Sequence, residues 1–147
     1  MDELDKDCLF CKIIRGEVPS YTVFENDDVK AFLDLSQVNP GHTLMVPKKH
    51  LTNLFDYTAE DAEKYLKYIP AIANAIKKFD PKITGMNVTT NNGESASQVV
   101  MHSHIHFIPR FEGDGLKLAT RNNEDKYTPD DYQKIADQIK HNFKEKK

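Results

Sequence analysis

Three histidines, His102, His104 and His106, alternate with other residues in one short stretch of the chain. A period of two that includes β-branched and aromatic residues is typical of a β-strand, in which alternate side chains share one face. In an α-helix the same three side chains would point about 100° apart from one to the next and would not converge. The pattern therefore predicts a strand with three imidazoles on one face and with Ile105 and Phe107 turned into a core.

Three interpretations of this stretch are open from the residues alone. The simplest is a set of hydrogen-bonded polar residues on a wet sheet face, which fits a lone histidine better than three in strict alternation. A second is a metal site, because a His-x-His pair on a strand suits zinc. The third is a nucleophilic imidazole that neighbouring groups hold in position.

The length and charge of the chain limit its function. Its 147 residues fit one domain with a substantial core. A net charge of −3 and a pI near 6.1 argue against a general nucleic-acid-binding or membrane-binding surface. No apolar run approaches the roughly 20 residues of a membrane span, and the charged Met1–Asp7 segment lacks the apolar core of a signal peptide. We therefore expect a cytoplasmic protein without membrane or nucleic-acid partners.

Two helices are predicted. A capping box at Thr58 and apolar residues at a period near 3.6 indicate one long central helix that ends near Phe79. Pro70 lies inside this pattern and predicts a kink or break just ahead of it. Thr128, followed by proline, is the expected N-cap of a C-terminal helix over about 128–145.

The strands are predicted to form an antiparallel sheet, because hairpins are followed by a helix and then by further strands. The fold class is therefore α+β, in a single domain of residues 1–147 with a core of about 8–115. The histidine strand is expected to end at Pro109. The other predicted strands are 21–24, 29–33, 42–46 and 85–90.

Cys8 and Cys11, the two cysteines of the chain, form a Cys-x-x-Cys motif. In a chain expected to be cytoplasmic, this spacing indicates metal or redox chemistry rather than a structural disulfide. One interpretation is half of a zinc site. The others are a plain thiol pair and a thioredoxin-like dithiol, which needs a helix N-terminus in a βαβ unit that the sequence does not predict.

These motifs together resemble the histidine triad (HIT) superfamily. The family signature is His-φ-His-φ-His-φ-φ, where φ is apolar, and residues 102–108 match it with Ser103 in the first φ position. The resemblance covers about residues 8–115 and is greatest to the bacterial Hint- and Fhit-like branch. Four further blocks match in the family's order: Phe32-Leu-Asp34-Leu, Pro40-Gly-His42, Val46-Pro-Lys-Lys-His50 and Gln98-x-Val100.

The resemblance implies a five-stranded antiparallel sheet and a homodimer that acts on a purine nucleotide. The implied reaction is hydrolysis or transfer at the α-phosphate of nucleoside phosphoramidates or dinucleoside polyphosphates. His104 would attack phosphorus and form a nucleotidyl-histidine, which water then cleaves. His106 would donate to the phosphate, and His42 matches an active-site histidine near the nucleophile.

The resemblance also assigns residues to the substrate. Asp34 would accept hydrogen bonds from the ribose hydroxyls. Asn91 and Gln98 would hold phosphate or ribose oxygens. The base would be walled by Phe10, Val18 and Phe32. From the residues alone, an ordinary core role is favoured for the two phenylalanines.

One position departs from the family. Val99 stands where the eukaryotic-type branch has a serine hydroxyl close to the leaving group. Without that hydroxyl, a histidine or water must protonate the leaving group. We therefore expect amine leaving groups to be handled less well than phosphates or acyl-phosphates, which depart unaided.

The cysteine pair resembles that of bacterial HIT proteins and of the related galactose-1-phosphate uridylyltransferases, in which zinc is structural. By that resemblance Cys8, Cys11, His50 and His102 form a Cys₂His₂ zinc site. A closed set of four ligands leaves no open position for substrate, so the expected role of zinc is in folding rather than catalysis.

Two other functions compete with the nucleotide hydrolase. A zinc hydrolase would bind its metal through His102, His104 and His106. Alternate strand positions lie ~6.6–7 Å apart, which strains such a site within one strand. The other competitor is a nucleotide-binding signalling or interaction protein with vestigial hydrolysis, and the intact His104 counts against it.

Overall fold

The structure is a computed structural model, and it describes residues 7–143. The chain divides into one compact unit up to Asp114 and a second unit from Gly115 onward. Assignment of residues 1–147 to a single domain stays a prediction. The strands of the first unit are β1 (Thr22–Glu25), β2 (Val29–Leu33), β3 (Thr43–Pro47), β4 (Ile83–Thr89) and β5 (Ile105–Phe111).

The strands form one five-stranded sheet in the order β1-β2-β3-β5-β4, and every pairing is antiparallel. The predicted α+β class and sheet are thereby confirmed. His106 of β5 lies inside the sheet, paired with Leu44 of β3 on one side and with Thr89 of β4 on the other. This position gives its side chain a rigid mount.

The described helices are α1 (Leu9–Ile14), α2 (Ala59–Tyr65), α3 (Ile69–Lys77) and α4 (Pro129–Asn142). The predicted central helix is the pair α2 and α3, interrupted by a 3-10 turn at Leu66–Tyr68. Pro70 lies in the first turn of α3 and cannot donate a hydrogen bond back to Leu66, which explains the break. Among residues 7–143, no helix has the length and apolar character needed to cross a membrane.

The predicted capping box at Thr58 and the predicted N-cap at Thr128 are both present, and Thr128 also forms a capping box. Thr58 and Asp61 cap α2 reciprocally, and Thr128 and Asp131 cap α4 in the same way. Each pair satisfies two backbone N–H groups that a helix start otherwise leaves without partners. The helix predicted over 128–145 ends at Asn142, and the last part of that range lies outside the described residues.

The short helix α1 was not predicted. Cys8 is its N-cap, and the Cys8 Sγ accepts a hydrogen bond from the Cys11 backbone N–H at 3.2 Å. A helix N-terminus therefore does lie at the cysteine pair. The thioredoxin-like interpretation still fails, because the strands that follow pair antiparallel and form no βαβ unit.

The histidine strand begins and ends later than predicted. His102 and His104 precede β5, and Pro109 lies within it, opposite Met86 of β4. The backbone ahead of β5 bonds to loops instead of a neighbouring strand: the Ser103 N–H donates to the Leu51 carbonyl at 2.6 Å. Because backbone polar groups must find partners, these loop contacts replace the strand pairing that the alternation suggested.

The central strands of the sheet bury side chains on both faces, in two separate cores. Ile105 and Phe107 point to the face covered by α2 and α3, as predicted, and His106 points to the opposite face. The core on the α2–α3 side contains Val29, Ala31, Met45, Leu51, Tyr65, Ile72, Ile76, Ile83, Ile105 and Phe107. The core on the other side contains Phe10, Ile13, Phe32, Leu44 and Val46.

Candidate active site

A cavity of about 520 Å³ opens on the sheet face that carries His106. This volume lies within the range of sites for small molecules and cofactors. Most of its wall is apolar, and helix α1 forms one side of it. Six residues predicted for the active site line the cavity: Phe10, Val18, Phe32, Asp34, His104 and His106.

His104 is oriented by the main chain of its own segment. Its Nδ1 lies 2.7 Å from the carbonyl oxygen of His102. A carbonyl can only accept, so Nδ1 carries the proton of the neutral imidazole and Nε2 keeps its lone pair. Burial lowers the pKa of His104 below its ordinary value, which favours this neutral, nucleophilic form. The ring also makes an edge contact with Phe10, with centroids 5.0 Å apart.

His42 and His106 form a hydrogen-bonded pair of rings, with His42 Nε2 3.0 Å from His106 Nδ1. The Val38 backbone N–H donates to His42 Nδ1 at 3.2 Å, so the proton of neutral His42 sits on Nε2. That proton is donated to His106 Nδ1, and the proton of neutral His106 is therefore on Nε2. Burial and the neighbouring imidazoles lower the pKa of His106 to about 4. Burial also lowers the pKa of His42, against the opposing effect of Asp34.

Asp34 follows the last residue of β2 and reaches both the cavity and the ring pair. One carboxylate oxygen accepts the Ser36 backbone N–H at 2.8 Å, and the other lies 3.5 Å from His42 Nε2. The structure thus brings Asp34, His42 and His106, all assigned to the site by resemblance, into one cluster. His42 contacts the cavity through His106 and is not itself part of the cavity wall.

Asn91 and Gln98 lie elsewhere. Asn91 is half-buried in the loop after β4, and neither residue lines the cavity. The Gln98 side chain is buried, its nitrogen donates to Thr52 and Val100 carbonyls, and its oxygen accepts from Asn53 and Gly93. All four hydrogen-bonding positions of this amide are used within the protein. In the structure Gln98 holds its loop through these hydrogen bonds. A substrate contact by this residue stays a prediction.

Val99, which the resemblance placed close to the leaving group, belongs to the cavity wall although 86% of it is exposed, so it lies at the cavity entrance. Apart from the six residues named above, the rest of the wall consists of residues that were not assigned to the site from the sequence. Leu44 could have been found from its register, because it pairs directly with His106. The others carry no local sequence signal and are brought together by the fold: Leu9, Ile13, Pro19, Ser20, Tyr21, Leu33, Leu35, Ser36 and Val100.

A second cluster, formed by Cys8, Cys11, His50 and His102, could hold a metal ion. His102 Nδ1 lies 3.3 Å from Cys8 Sγ and 3.4 Å from Cys11 Sγ, and His50 Nδ1 lies 3.3 Å from Cys11 Sγ. A tetrahedral zinc ion places sulfur and nitrogen ligands about 3.5 Å apart, which these distances match. His102 Nε2 donates to the Pro47 carbonyl at 3.0 Å, so its Nδ1 is left as the ligand atom.

The two clusters divide the triad. The His102 ring faces the cysteines, whereas His104 and His106 face the cavity. The three imidazoles therefore do not surround one point, as a zinc hydrolase built on all three would require. The main chain still links the clusters, because the residue whose ring faces Cys8 and Cys11 also supplies the carbonyl that orients His104.

Comparisons with known proteins identify close relatives. A family model described as the HIT domain matches residues 15–113. Protein hit of Bacillus subtilis (strain 168) is 46% identical over 136 residues, which are 91% of this chain and 92% of that protein. Adenylylsulfatase HINT3 of Arabidopsis thaliana is 41% identical over 113 residues, 77% of this chain and 57% of the relative. Adenosine 5'-monophosphoramidase HNT1 of Candida albicans is 38% identical over 106 residues, 70% of each protein.

Solved structures confirm the fold. The crystal structure of a member of the HIT family from Bacillus subtilis superposes with a TM-score of 0.87. The two sequences are 44% identical, and the match covers 92% of this chain and 96% of the Bacillus subtilis chain.

Proposed function

This chain belongs to the HIT family, and we propose that it cleaves nucleotides at the α-phosphate through a covalent bond to His104. Relatives named as an adenylylsulfatase and an adenosine 5'-monophosphoramidase support nucleotide hydrolysis in general. One observation carries the covalent step. The hydrogen bond from His104 Nδ1 to the His102 carbonyl leaves Nε2 as the nitrogen with a lone pair on a ring that lines the cavity.

In the first step, the Nε2 lone pair of His104 attacks the α-phosphorus and forms a P–N bond. The bond from phosphorus to the leaving group breaks, and its electron pair departs with that group. His106 Nε2–H is suited to donate to a phosphoryl oxygen, because its Nδ1 already accepts from His42. A donor fixed before the reaction stabilises the charge that builds up on that oxygen.

In the second step, water attacks the same phosphorus and the P–N bond breaks. The nucleoside monophosphate leaves, the electron pair returns to Nε2, and the water loses a proton to solvent. His104 is again neutral, with its remaining proton on Nδ1. The hydrogen bond from His104 Nδ1 to the His102 carbonyl supports both steps, since the attacking nitrogen needs a fixed direction toward phosphorus.

The cavity supports a nucleoside as the bound part of the substrate. Phe10 and Phe32 pack edge to face, with centroids 5.7 Å apart, and offer an apolar wall to a base. Asp34 has a carboxylate oxygen near the histidines and is our candidate for the ribose hydroxyls. We keep a purine base and contacts by Asn91 and Gln98 as predictions.

We assign zinc to the cluster of Cys8, Cys11, His50 and His102. Two thiolates and two imidazole nitrogens at tetrahedral spacing are a typical zinc donor set, and a closed site of this kind stabilises a fold. Cys8 and Cys11 would hold the metal on α1, and His50 and His102 would hold it next to β3 and β5. These ligands take no part in the bond-forming steps.

Two further predictions belong to this proposal. A homodimer is expected, because the sheet leaves β4 as an edge strand and the central helix pair carries half-buried apolar residues. A cytoplasmic location is expected, because a reducing compartment keeps Cys8 and Cys11 as thiols that can bind zinc.

A turnover panel tests the proposed reaction. The purified protein is incubated with adenosine and guanosine phosphoramidates and with diadenosine and diguanosine polyphosphates, and released mononucleotide is measured. We expect mononucleotide release from at least one class, abolished by His104→Ala. Tight nucleotide binding without turnover of any substrate would instead favour the interaction protein with vestigial hydrolysis.

A further inference from the structure

The loop of residues 34–42 connects β2 to β3 and carries a functional residue at each end. Asp34 opens the loop and lines the cavity, and His42 closes it and contacts His106. The Asp34 N–H donates to the His42 carbonyl at 3.0 Å, so the two ends lie side by side. What holds the interior of this loop therefore decides where both side chains point.

The carboxamide of Gln37 ties the two ends together. Its nitrogen donates to the Asp34 carbonyl at 2.5 Å and to the His42 carbonyl at 2.7 Å. Its oxygen accepts the Gly41 N–H at 2.9 Å. Gly41 itself has a φ of +99°, and a Cβ there would lie 3.1 Å from Pro109 Cγ, so the chain must pass close to β5 at this point. One amide group thus fixes three backbone groups of the loop.

The residues on either side of Gln37 contact the functional side chains directly. The Ser36 N–H donates to the Asp34 carboxylate at 2.8 Å. The Val38 N–H donates to His42 Nδ1 at 3.2 Å. The turn at Gln37 therefore aims one N–H at each of the two functional side chains.

The backbone at Gln37 is strained. Its φ is +34°, and among residues 7–143 the only other non-glycine residue with a positive φ is Ser97. Such a conformation persists where surrounding contacts over-determine it, and it is common at functional sites. At Gln37 those contacts are the three side-chain hydrogen bonds to residues 34, 41 and 42.

We propose that Gln37 is a positioning residue that sets the direction of Asp34 and the tautomer of His42, an inference that rests on the proposed function for its effect on turnover. With Val38 N–H on Nδ1, His42 must present its proton to His106, and His106 must present its own proton to the cavity. Loss of the Gln37 amide removes three of the hydrogen bonds that hold this loop, and we expect His42 then to exchange between tautomers. A glutamate cannot replace it, because a carboxylate has no N–H for the two carbonyls and is repelled by them.

The test compares Gln37→Gly and Gln37→Glu with wild type, using the full chain as purified. Gln37→Gly removes the amide and relieves the strained φ, so a folded protein is expected. ¹⁵N spectra of the imidazoles report which nitrogen of His42 carries the proton, without any substrate. We expect wild type to show Nε2–H alone and both variants to show a mixture of tautomers. Turnover should fall about 10- to 100-fold in both variants, as expected for small misplacements of catalytic groups.

Ser97→Gly is the matched control, because Ser97 is the other strained position, is exposed, and lies in the loop that Gln98 holds. It should leave the His42 tautomer and kcat unchanged. Wild-type tautomer and wild-type kcat in both Gln37 variants would overturn the proposal. If the tautomer changes but wild type itself turns over no nucleotide, the positioning role stands and the proposed function fails.

Discussion

A backbone N–H outside the cavity wall decides which nitrogen His106 offers to a substrate. Val38 N–H occupies His42 Nδ1, His42 Nε2–H occupies His106 Nδ1, and the remaining proton of His106 is on Nε2. His104 is fixed by the same logic through the His102 carbonyl. His104 and His106 each have one nitrogen engaged by the protein, so the other nitrogen has a defined role as nucleophile or donor.

The lowered pKa of His106 predicts a dependence of stability on pH. The pKa is about 4 in the folded protein, because burial and the imidazoles of His104 and His42 disfavour the charged ring, against an ordinary 6.5. Between these values the unfolded chain takes up a proton at His106 that the folded protein does not. The stabilising contribution of neutral His106 is therefore complete above pH 6.5 and is lost progressively as the pH falls toward 4.

Denaturant unfolding of wild type and His106→Asn between pH 4.5 and 7.5 measures this effect. The free energy of unfolding should fall more steeply with decreasing pH in wild type than in the variant. The extra slope should correspond to the uptake of up to about one proton on unfolding. Titrating groups that do not contact His106 are common to both proteins and cancel in the comparison. The difference therefore reports His106 together with the two imidazoles that it contacts, His42 and His104. Equal slopes would show that His106 titrates normally.

The lack of a hydroxyl at Val99 is expected to disfavour amine leaving groups. Its side chain is 86% exposed at the cavity entrance, and a hydroxyl there would give a leaving amine a hydrogen-bond partner. Val99→Thr adds that hydroxyl with the same shape, and a surface change of this kind alters stability by only about 0.5 kcal/mol or less. We expect a higher kcat for phosphoramidates and little change for dinucleoside polyphosphates, measured side by side with Val99→Ala as the control. An equal effect on both substrate classes would show that residue 99 does not contact the leaving group.

At the scale of elements, residues 102–104 join the two clusters. The His102 ring faces Cys8 and Cys11, and its carbonyl orients His104. This segment lies ahead of β5 and is held by loop contacts, including the Thr90 hydroxyl on the His104 carbonyl at 2.9 Å. Loss of a side chain from the cluster of Cys8, Cys11, His50 and His102 is therefore expected to loosen the support of His104 as well as the fold.

Loss of the metal should destabilise the protein before it affects nucleotide affinity. Elemental analysis should give about one zinc per chain for four such ligands. Cys8→Ser or chelation should lower Tm by about 5–10 °C, on the usual scale for a ligand bound well above its Kd. Lys12→Ser, on the same helix but outside the cluster, is the control. A metal-free protein with unchanged Tm would show that this cluster does not bind a stabilising zinc ion.

Local patterns predicted the regular elements well. β2 occupies the predicted range 29–33, because a turn precedes it and Asp34 follows it. The capping boxes and Pro70 also act locally, so the helix starts and the break were predictable. Helix α1 was missed because its N-cap acceptor is a cysteine sulfur, which is not among the usual capping residues.

Long-range contacts explain what the sequence could not predict. The alternation at His102 and His104 suggested strand, but contacts with Cys8, Leu51 and Thr90 draw that segment out of the sheet. The resemblance assigned the amide of Gln98 to the substrate. In the structure this amide makes four hydrogen bonds within the protein, which the sequence alone does not reveal. Cavity residues such as Val99 were assignable to the site only through the resemblance or the fold.

At the scale of the whole molecule, the surface of the first unit predicts a dimer. Leu66, Tyr68 and Ile69 are only half-buried against the core, and β4 is an edge of the sheet. Light scattering at micromolar concentration should report twice the chain mass of 16.9 kDa. Leu66→Glu should shift the particle toward one chain, because a buried charge without a partner is costly, whereas Lys77→Glu should not. A monomeric wild type would contradict the dimer.

A rapid-quench experiment can detect the covalent bond to His104 on which the proposed reaction depends. Wild type and His104→Ala are mixed with a nucleotide substrate labelled in its α-phosphate, and each is denatured within milliseconds at alkaline pH, where a phosphorus–nitrogen bond to histidine survives. We predict label on the wild-type chain, in the peptide that contains His104, removed by mild acid. His104→Ala should carry no label and should lose about 10³-fold or more in kcat while it still binds nucleotide. Unlabelled wild-type protein during turnover, together with a variant that keeps more than about a tenth of kcat, would rule out His104 as the nucleophile and indicate direct attack by water.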